Sequence, residues 1–151
     1  MFASRIRLLL AVFWAGSLWT IGYLAAPTLF MTLQDKALAG TLAGSLFRSE
    51  AWVSVVCGVA LMTLVAIAAT DDVAQRSTRR ALLVLISCML VCTLVGYFGL
   101  QPMMASVRKA AGPSGIAASG LAARFGILHG IASGIYLIQS LCGIALVLKI
   151  R

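Results

Sequence analysis

Four polar residues near the C-terminus have the spacing of a functional helix face. His129, Ser133, Tyr136 and Ser140 follow i, i+4, i+7 and i+11, which places them on one narrow stripe of a helix. His129 is the single histidine of the chain, and an imidazole can titrate near neutral pH, bind a metal or ligate haem iron. A hydrogen bond across helices to a hydroxyl or carbonyl group is the alternative role of this side chain.

Two cysteines provide a second set of candidate ligands. Cys88 and Cys92 are one helical turn apart, and Met89 lies between them. Thiolate and thioether sulfur atoms are ligands that Cu(I) accepts, although Cys and Met are also ordinary packing residues of apolar helices. A catalytic zinc ion requires about three protein ligands, which one histidine does not supply. Haem and copper are therefore the candidate cofactors, with His129, Cys88 and Cys92 as candidate ligands, and the sequence requires neither.

Residues at the ends of apolar segments complete a candidate polar pocket. Its members are His129, Ser133, Tyr136, Gln101, Arg48 and Arg124. The alternative for the two arginines is that they anchor helix ends at the depth of the lipid headgroups. The chain contains no HExxH motif, no phosphate-binding glycine loop and no recognisable set of nucleophile, base and oxyanion donors. The sequence thus favours a protein that is not an enzyme, and it assigns no catalytic residue.

Membrane-spanning helices must position these side chains. Of the 151 residues, 62% are hydrophobic and only 11% are charged, whereas a soluble domain carries about 25% charged residues. A spanning helix requires about 20 residues, so four spans and their connections fill the chain as a single transmembrane domain. The predicted spans are residues 8–30, 52–70, 81–100 and 125–148. The predicted fold class is an all-α integral membrane four-helix bundle.

Prolines and leucines mark the limits of these spans. Pro27 predicts a kinked end of the first span, and the pair Gln101-Pro102 predicts the end of the third. Over residues 38–47, leucine recurs every four positions, which predicts a short amphipathic helix between the first and second spans. The Gly- and Pro-containing residues 111–115 predict a flexible loop.

Two ladders of small residues are suited to close helix contacts. Gly40 and Gly44 are four residues apart, and Gly126, Gly130 and Gly134 continue the same spacing on the last span. Small residues at this spacing let a second helix backbone approach closely. That second helix can belong to the same chain, to a copy of it in a homo-oligomer or to another membrane protein, and the sequence leaves all three open.

The positive charge indicates membrane topology. The chain has a net charge of +8, but its twelve Lys and Arg residues lie at the ends of apolar segments and form no continuous basic face, so nucleic acid is not expected as a partner. Seven of the twelve belong to the N-terminus, the middle hairpin and the C-terminus. The positive-inside rule then predicts that both termini lie in the cytoplasm, and the lipid bilayer forms the surroundings of the chain.

Several short motifs also resemble a known family. They are Ala26-Pro27-Thr28-Leu29-Phe30, Gly44-Ser45-Leu46-Phe47, Gln101-Pro102-Met103-Met104, and Arg124-Phe125 followed by His129-Gly130 and Ser133. In this order, over nearly the whole chain, they resemble the transmembrane-protein-205-like group, which includes bacterial membrane proteins of unknown function. The resemblance implies a four-helix membrane protein. The positions that it marks as important are Phe47, Pro102, Phe125, His129, Gly130 and Ser133, with Phe47 and Pro102 expected to pack between helices.

Three functional hypotheses follow from these patterns. The first is a protein that aids transport or tolerance of a small solute or metal through an outward-facing polar pocket around His129. The second is a haem- or metal-binding redox protein, which a more distant likeness to copper-resistance membrane proteins and four-helix protoporphyrinogen oxidases also suggests at the level of the fold. The third is a structural partner that associates with itself or another membrane protein.

Overall fold

The computed structural model describes residues 2–68, 73–112, 115–118 and 120–150. Within these residues all regular structure is helical, and four helices are long and apolar enough to cross a membrane. This confirms the prediction of an all-α membrane helical bundle. Helix 1 consists of an α-helix Phe2–Trp19, a π-helix Thr20–Ala25 and an α-helix Ala26–Thr32, and helix 2 is the α-helix Lys36–Ala66. Helix 3 consists of an α-helix Val73–Leu94, a π-helix Val95–Leu100 and an α-helix Gln101–Ala111. A short helix Gly115–Ala118 precedes helix 4, which is the α-helix Ala122–Lys149.

Helix 2 is one continuous element, which corrects the prediction of a separate amphipathic helix at residues 38–47. Asp35 caps its N-terminus, because the carboxylate oxygen accepts hydrogen bonds from the backbone N–H groups of Ala37 and Leu38 at 2.9 and 3.1 Å. Residues 48–51, which contain the charged Arg48 and Glu50, include no Gly or Pro that would interrupt the helix. Arg, Glu and Ala favour helical structure. The helix therefore runs for 31 residues, with Glu50 close to its midpoint.

Helix 3 continues through Gln101-Pro102, which was predicted to end it. Pro27 and Pro102 each follow a six-residue π-helix, in which the N–H groups of Ala26 and Gln101 bond to carbonyl groups five residues earlier. A proline has no N–H group, and its ring clashes with the carbonyl group four residues earlier in a regular α-helix. The wider π-helical turn accommodates the ring, so helix 3 continues to Ala111.

Other boundaries differ by smaller amounts. Helix 1 begins before the predicted residue 8, and helix 4 extends the predicted span 125–148 by a few residues at its N-terminus. Helix 2 ends at Ala66, whereas the predicted limit at Thr70 lies outside the described residues. In the predicted loop 111–115, Gly112 and Gly115 have φ angles of +63° and +76°, and residues 113 and 114 lie outside the described residues.

The four helices pack in a ring, with each helix beside the next and helix 4 against helix 1. An apolar cluster toward the termini contains Trp14, Leu61, Ile86, Met89 and Leu146. A smaller cluster at the opposite end joins helices 3 and 4 through Leu100, Met104, Val107 and Leu128. Between these clusters, helices 3 and 4 contribute buried polar side chains to the interior of the bundle.

Close helix approach occurs at glycines outside the predicted ladders. A Cβ atom at Gly22 would overlap the ring of Tyr136, and one at Gly58 would overlap Leu90. In contrast, no described heavy atom lies within 4 Å of a Cβ atom placed at Gly44, Gly126, Gly130 or Gly134, and Gly40 only reaches the edge of the Phe30 ring at 4.0 Å. The predicted ladders therefore make no tight contact within the described chain, and their role in association stays a prediction.

Replacing Gly22 by Ala is expected to lower the free energy of unfolding by about 1–3 kcal/mol through overpacking against Tyr136. Gly16→Ala is the matched control, because it lies in the same helix and its Cβ would meet no heavy atom within 4 Å. Ala at that position should stabilise the helix by up to about 1 kcal/mol. Thermal unfolding in detergent checks both variants, and equal melting temperatures for Gly22→Ala and the unmodified protein would contradict the close approach.

Candidate functional site

A cavity of about 490 Å³ lies between the two apolar clusters and is lined by all four long helices. Both π-helices contribute to its wall, through Gly22 and Tyr23 in helix 1 and Gly96 and Tyr97 in helix 3. Such π-helical turns occur frequently at functional sites. The cavity volume lies within the range of about 300–1,000 Å³ that is typical of small-molecule sites.

Aromatic rings dominate the wall, and few charged groups reach it. The aromatic lining residues are Tyr23, Phe30, Phe47, Tyr97 and Tyr136. Among the described residues of the lining, Glu50 is the one carboxyl group, His129 the one imidazole, and no Lys or Arg side chain takes part. The cavity therefore offers an apolar, aromatic surface with one acidic group.

Glu50 is held by a hydrogen-bond chain that links helices 1 and 2. The indole Nε1 of Trp14 donates to Ser54 Oγ at 2.7 Å, and Ser54 Oγ donates to Glu50 Oε1 at 2.6 Å. An indole N–H group can only donate, so the Ser54 hydroxyl accepts from Trp14 and directs its own proton to the carboxyl group. Trp14 and Ser54 are fully buried, which shields this chain from solvent and lipid.

The second carboxyl oxygen of Glu50 accepts no hydrogen bond from the described residues. The side chain is only 4% exposed and lies at the wall of the cavity. An ionisable group inside a membrane bundle is costly when charged, and such groups mark solute or ion pathways in many membrane proteins. This oxygen is therefore available to a molecule that enters the cavity.

Helices 3 and 4 are joined by a second set of polar contacts. Gln139 Nε2 donates to Thr93 Oγ1 at 2.9 Å, and Thr93 Oγ1 donates to the carbonyl group of Met89 at 3.1 Å. Thr93 and Gln139 are both buried and line the cavity. The Thr93 hydroxyl is thus committed to structure, because it donates to the backbone of its own helix and accepts from the amide.

Tyrosine side chains connect helix 4 to helix 1. Tyr136 donates its hydroxyl to the carbonyl group of Leu18 at 2.6 Å, and Tyr23 donates to Ser140 Oγ at 2.9 Å. The Tyr136 ring also meets Tyr23 and Phe47 edge to face, at centroid distances of 6.0 and 5.5 Å. Edge-to-face pairs of this kind are favourable. They fix the aromatic wall around the carboxyl group of Glu50.

The structure brings together four of the six residues predicted for the polar pocket. Gln101, His129, Ser133 and Tyr136 line the cavity. Arg48 and Arg124 are exposed and do not belong to its lining. Phe47 lies in the wall, whereas Pro102 is exposed and lies outside it.

His129 and the cysteines have packing partners of their own. The His129 imidazole stacks on Phe125 with an angle of 9° and a centroid distance of 6.0 Å. Cys88 Sγ lies 3.7 Å from Cys142 Sγ on helix 4, and Cys92 lines the cavity. Within the described residues, no group of three or more His, Cys, Asp or Glu side chains is arranged to hold a metal ion. Haem and copper binding stay predictions.

The polar pocket predicted from the sequence did not include Glu50, Tyr23, Thr93 or Gln139. Glu50 precedes residue 52, where the second span was predicted to begin, so it fell outside the predicted spans. Two signals were available. The first is the i, i+4 pair Glu50 and Ser54 within a segment free of helix breakers. The second is an aliphatic–Gly–Tyr triplet that recurs at residues 21–23 and 95–97, inside the two π-helical turns, with its glycine five or six residues before a proline.

A comparison with known protein families matches most of the chain to one family. A family described as "Domain of unknown function (DUF4149)" matches residues 9–113, which is more than two thirds of the chain. The chain belongs to this family. The part matched to DUF4149 covers helices 1 to 3, including Glu50 and both π-helical turns, and ends before helix 4. No curated protein and no solved structure matches this DUF4149 protein.

Ser54→Ala is expected to lower the free energy of unfolding by about 1–3 kcal/mol, because it removes the hydrogen-bond partner of two buried groups, Trp14 Nε1 and Glu50 Oε1. Ser49→Ala is the matched control on the same helix, where the exposed hydroxyl bonds only to the Ser45 carbonyl group at 3.2 Å. The control should change stability by less than about 0.5 kcal/mol. Denaturation followed by tryptophan fluorescence measures both variants.

A double-mutant cycle tests whether Trp14 and Ser54 are energetically coupled. Trp14→Phe should cost less in the Ser54→Ala background than in the unmodified protein, because the hydrogen bond between the two side chains has already been lost. Additive effects of the two substitutions would show that the hydrogen-bond chain contributes no coupling and would contradict this description of the site.

Proposed function

We propose that this DUF4149 protein is a non-enzymatic bacterial inner-membrane protein that binds a small, largely apolar cation in the cavity, as part of transport of or tolerance to that solute. One observation carries the proposal. The buried carboxyl group of Glu50 presents a second oxygen to a cavity that is lined by five aromatic residues and by no described Lys or Arg.

The chemistry of the cavity matches an organic cation. Aromatic rings attract cations through their negative faces, and a carboxylate adds a directional charge partner that strengthens in a low-dielectric site. The apolar remainder of the wall favours a ligand whose charge is surrounded by hydrocarbon. His129, Ser133 and Gln101 add polar groups on helices 3 and 4 that can orient such a ligand.

Three of the hydroxyl groups around the cavity donate their hydrogen bonds within the fold, which favours binding over catalysis. Thr93 donates to the Met89 carbonyl group, Tyr136 to the Leu18 carbonyl group, and Tyr23 to Ser140. A hydroxyl nucleophile requires an adjacent base that takes its proton, and these three protons are already directed elsewhere. A role in binding or transport of a solute also agrees with the π-helical turns, because such turns are frequent at functional sites.

The proposal predicts that Glu50→Gln weakens binding of tetraphenylphosphonium by at least about tenfold, because the ligand loses its charge partner. Tetraphenylborate has a similar size and shape but the opposite charge, and it should bind weakly to the unmodified protein. Isothermal titration calorimetry on the purified protein in detergent measures both probes.

Asp35→Asn is the matched control for removal of one acidic group. Asp35 caps helix 2 at its exposed N-terminus, and Asn caps helices about as well as Asp. This variant should bind tetraphenylphosphonium as the unmodified protein does. Unchanged binding by Glu50→Gln, or equal affinity for the two probes, would refute the proposed cation site.

We also propose that the chain lies in the transmembrane-protein-205-like part of its family and has both termini in the cytoplasm. The ordered motifs around Pro27, Phe47, Pro102 and His129 support the first statement, and the charge distribution supports the second.

Two reporter fusions that are active on opposite sides of the membrane test this orientation. Green fluorescent protein after the C-terminus should fluoresce, since it folds in the cytoplasm. Alkaline phosphatase fused after Gly112 should be active, since it matures outside the cytoplasm. A non-fluorescent fusion at the C-terminus together with an inactive phosphatase after Gly112 would contradict this orientation.

A further inference from the structure

A second cavity lies at the end of the bundle that carries both termini. Its volume is about 470 Å³, and three cationic side chains from three different helices line it: Arg7 of helix 1, Arg79 of helix 3 and Lys149 of helix 4. Its remaining described lining includes Gln75 and Thr78, which also carry polar groups. This cavity is separate from the aromatic cavity around Glu50, and the proposed function does not use it.

Arg79 is fixed in place by the end of helix 2. Its Nε donates to the Val65 carbonyl group at 3.1 Å, and one of its Nη atoms donates to the Ala66 carbonyl group. These are carbonyl groups of the last helical turn, which have no partner within the helix. The guanidinium group is therefore held at the cavity wall by backbone contacts, which reduces the entropy lost when it binds an anion.

Arg7 carries a donor that the described chain does not satisfy. Its Nε is shielded from solvent and has no hydrogen-bond partner among the described residues. A buried donor without an acceptor costs free energy comparable to a lost hydrogen bond, and more when the group is charged. An anion in the cavity would instead offset the charge of this guanidinium group, which belongs to the cavity lining.

The charges of this end of the molecule also favour an anion. Its described cationic residues are Arg5, Arg7, Arg76, Arg79, Arg80 and Lys149, and in the sequence Asp71 and Asp72 fall between helices 2 and 3. The two aspartates lie outside the described residues. Even if each neutralised one cation, most of the positive charge would stay uncompensated.

We propose that this cavity binds a phosphate group, contributed by the headgroup of an anionic phospholipid or by free phosphate. A phosphate has several acceptor oxygens that can be shared among donors from different helices, and Arg forms bidentate hydrogen bonds with it. Basic cavities between membrane helices on the cytoplasmic side are a recognised setting for phospholipid headgroups. Bound phosphate would join helices 1, 3 and 4 at their ends.

The experiment measures binding to the purified full-length protein in detergent. Native mass spectrometry counts bound dioleoylphosphatidylglycerol, with dioleoylglycerol as the lipid that lacks the phosphate. Thermal unfolding in inorganic phosphate and in chloride at equal ionic strength tests the free anion. Binding of phosphatidylglycerol together with stabilisation by inorganic phosphate would identify a general phosphate site, whereas binding of the phospholipid without stabilisation by inorganic phosphate would assign the site to the headgroup.

Arg7→Gln and Lys149→Gln should each weaken phosphatidylglycerol binding by at least about tenfold, the loss expected for one charge-assisted hydrogen bond. Arg5→Gln is the matched control, because Arg5 is an exposed residue of the same end and does not line the cavity. Lys149 is exposed, so its variant tests the site even if Arg7→Gln folds poorly. Equal losses in Arg5→Gln and the cavity variants, or no preference for the phosphate-bearing probes, would overturn the proposal.

Discussion

Hydrocarbon offers no hydrogen bonds, so each polar group inside a membrane protein must find its partner within the fold. In this molecule the constraint acts most strongly on Glu50, near the middle of the longest uninterrupted α-helix. Ser54 supplies the local partner one turn away, and Trp14 completes the chain from helix 1. The packing of helices 1 and 2 is thus tied to the position of one carboxyl group. Because only one of its oxygens is used in the described structure, the same arrangement that buries Glu50 also leaves it able to bind a ligand.

The two prolines shape the space that Glu50 faces. Pro27 and Pro102 would break regular α-helices, yet helices 1 and 3 continue because each inserts a π-helical turn. These turns place Gly22 against the Tyr136 ring and bring Tyr23 and Tyr97 to the cavity. Two of the five aromatic rings of the wall therefore lie in the turns through which the backbone accommodates proline. The wall is closed on the helix 4 side by Tyr136, whose hydroxyl bonds to the backbone of helix 1.

The two cavities of the bundle have different chemistry. The cavity around Glu50 is aromatic and acidic, whereas the cavity near the termini is lined by Arg7, Arg79 and Lys149. The apolar cluster around Trp14, Ile86 and Leu146 separates them. One small chain thereby combines a site suited to an organic cation with a site suited to a phosphate group, and these sites do not share lining residues.

The sequence by itself determined the four apolar helices, because hydrophobic length is a local property and the bilayer thickness is fixed. It also determined the polar stripe of helix 4, since the spacing of His129, Ser133 and Tyr136 needs only helical geometry. Only the tertiary structure decided the depth of Glu50, which depends on where helix 2 begins, and the partners of Trp14 and Tyr136, which lie 40 and 118 residues away in sequence. Spacing along a chain specifies which residues share a face, whereas the contact of one face with another depends on how all four helices pack together.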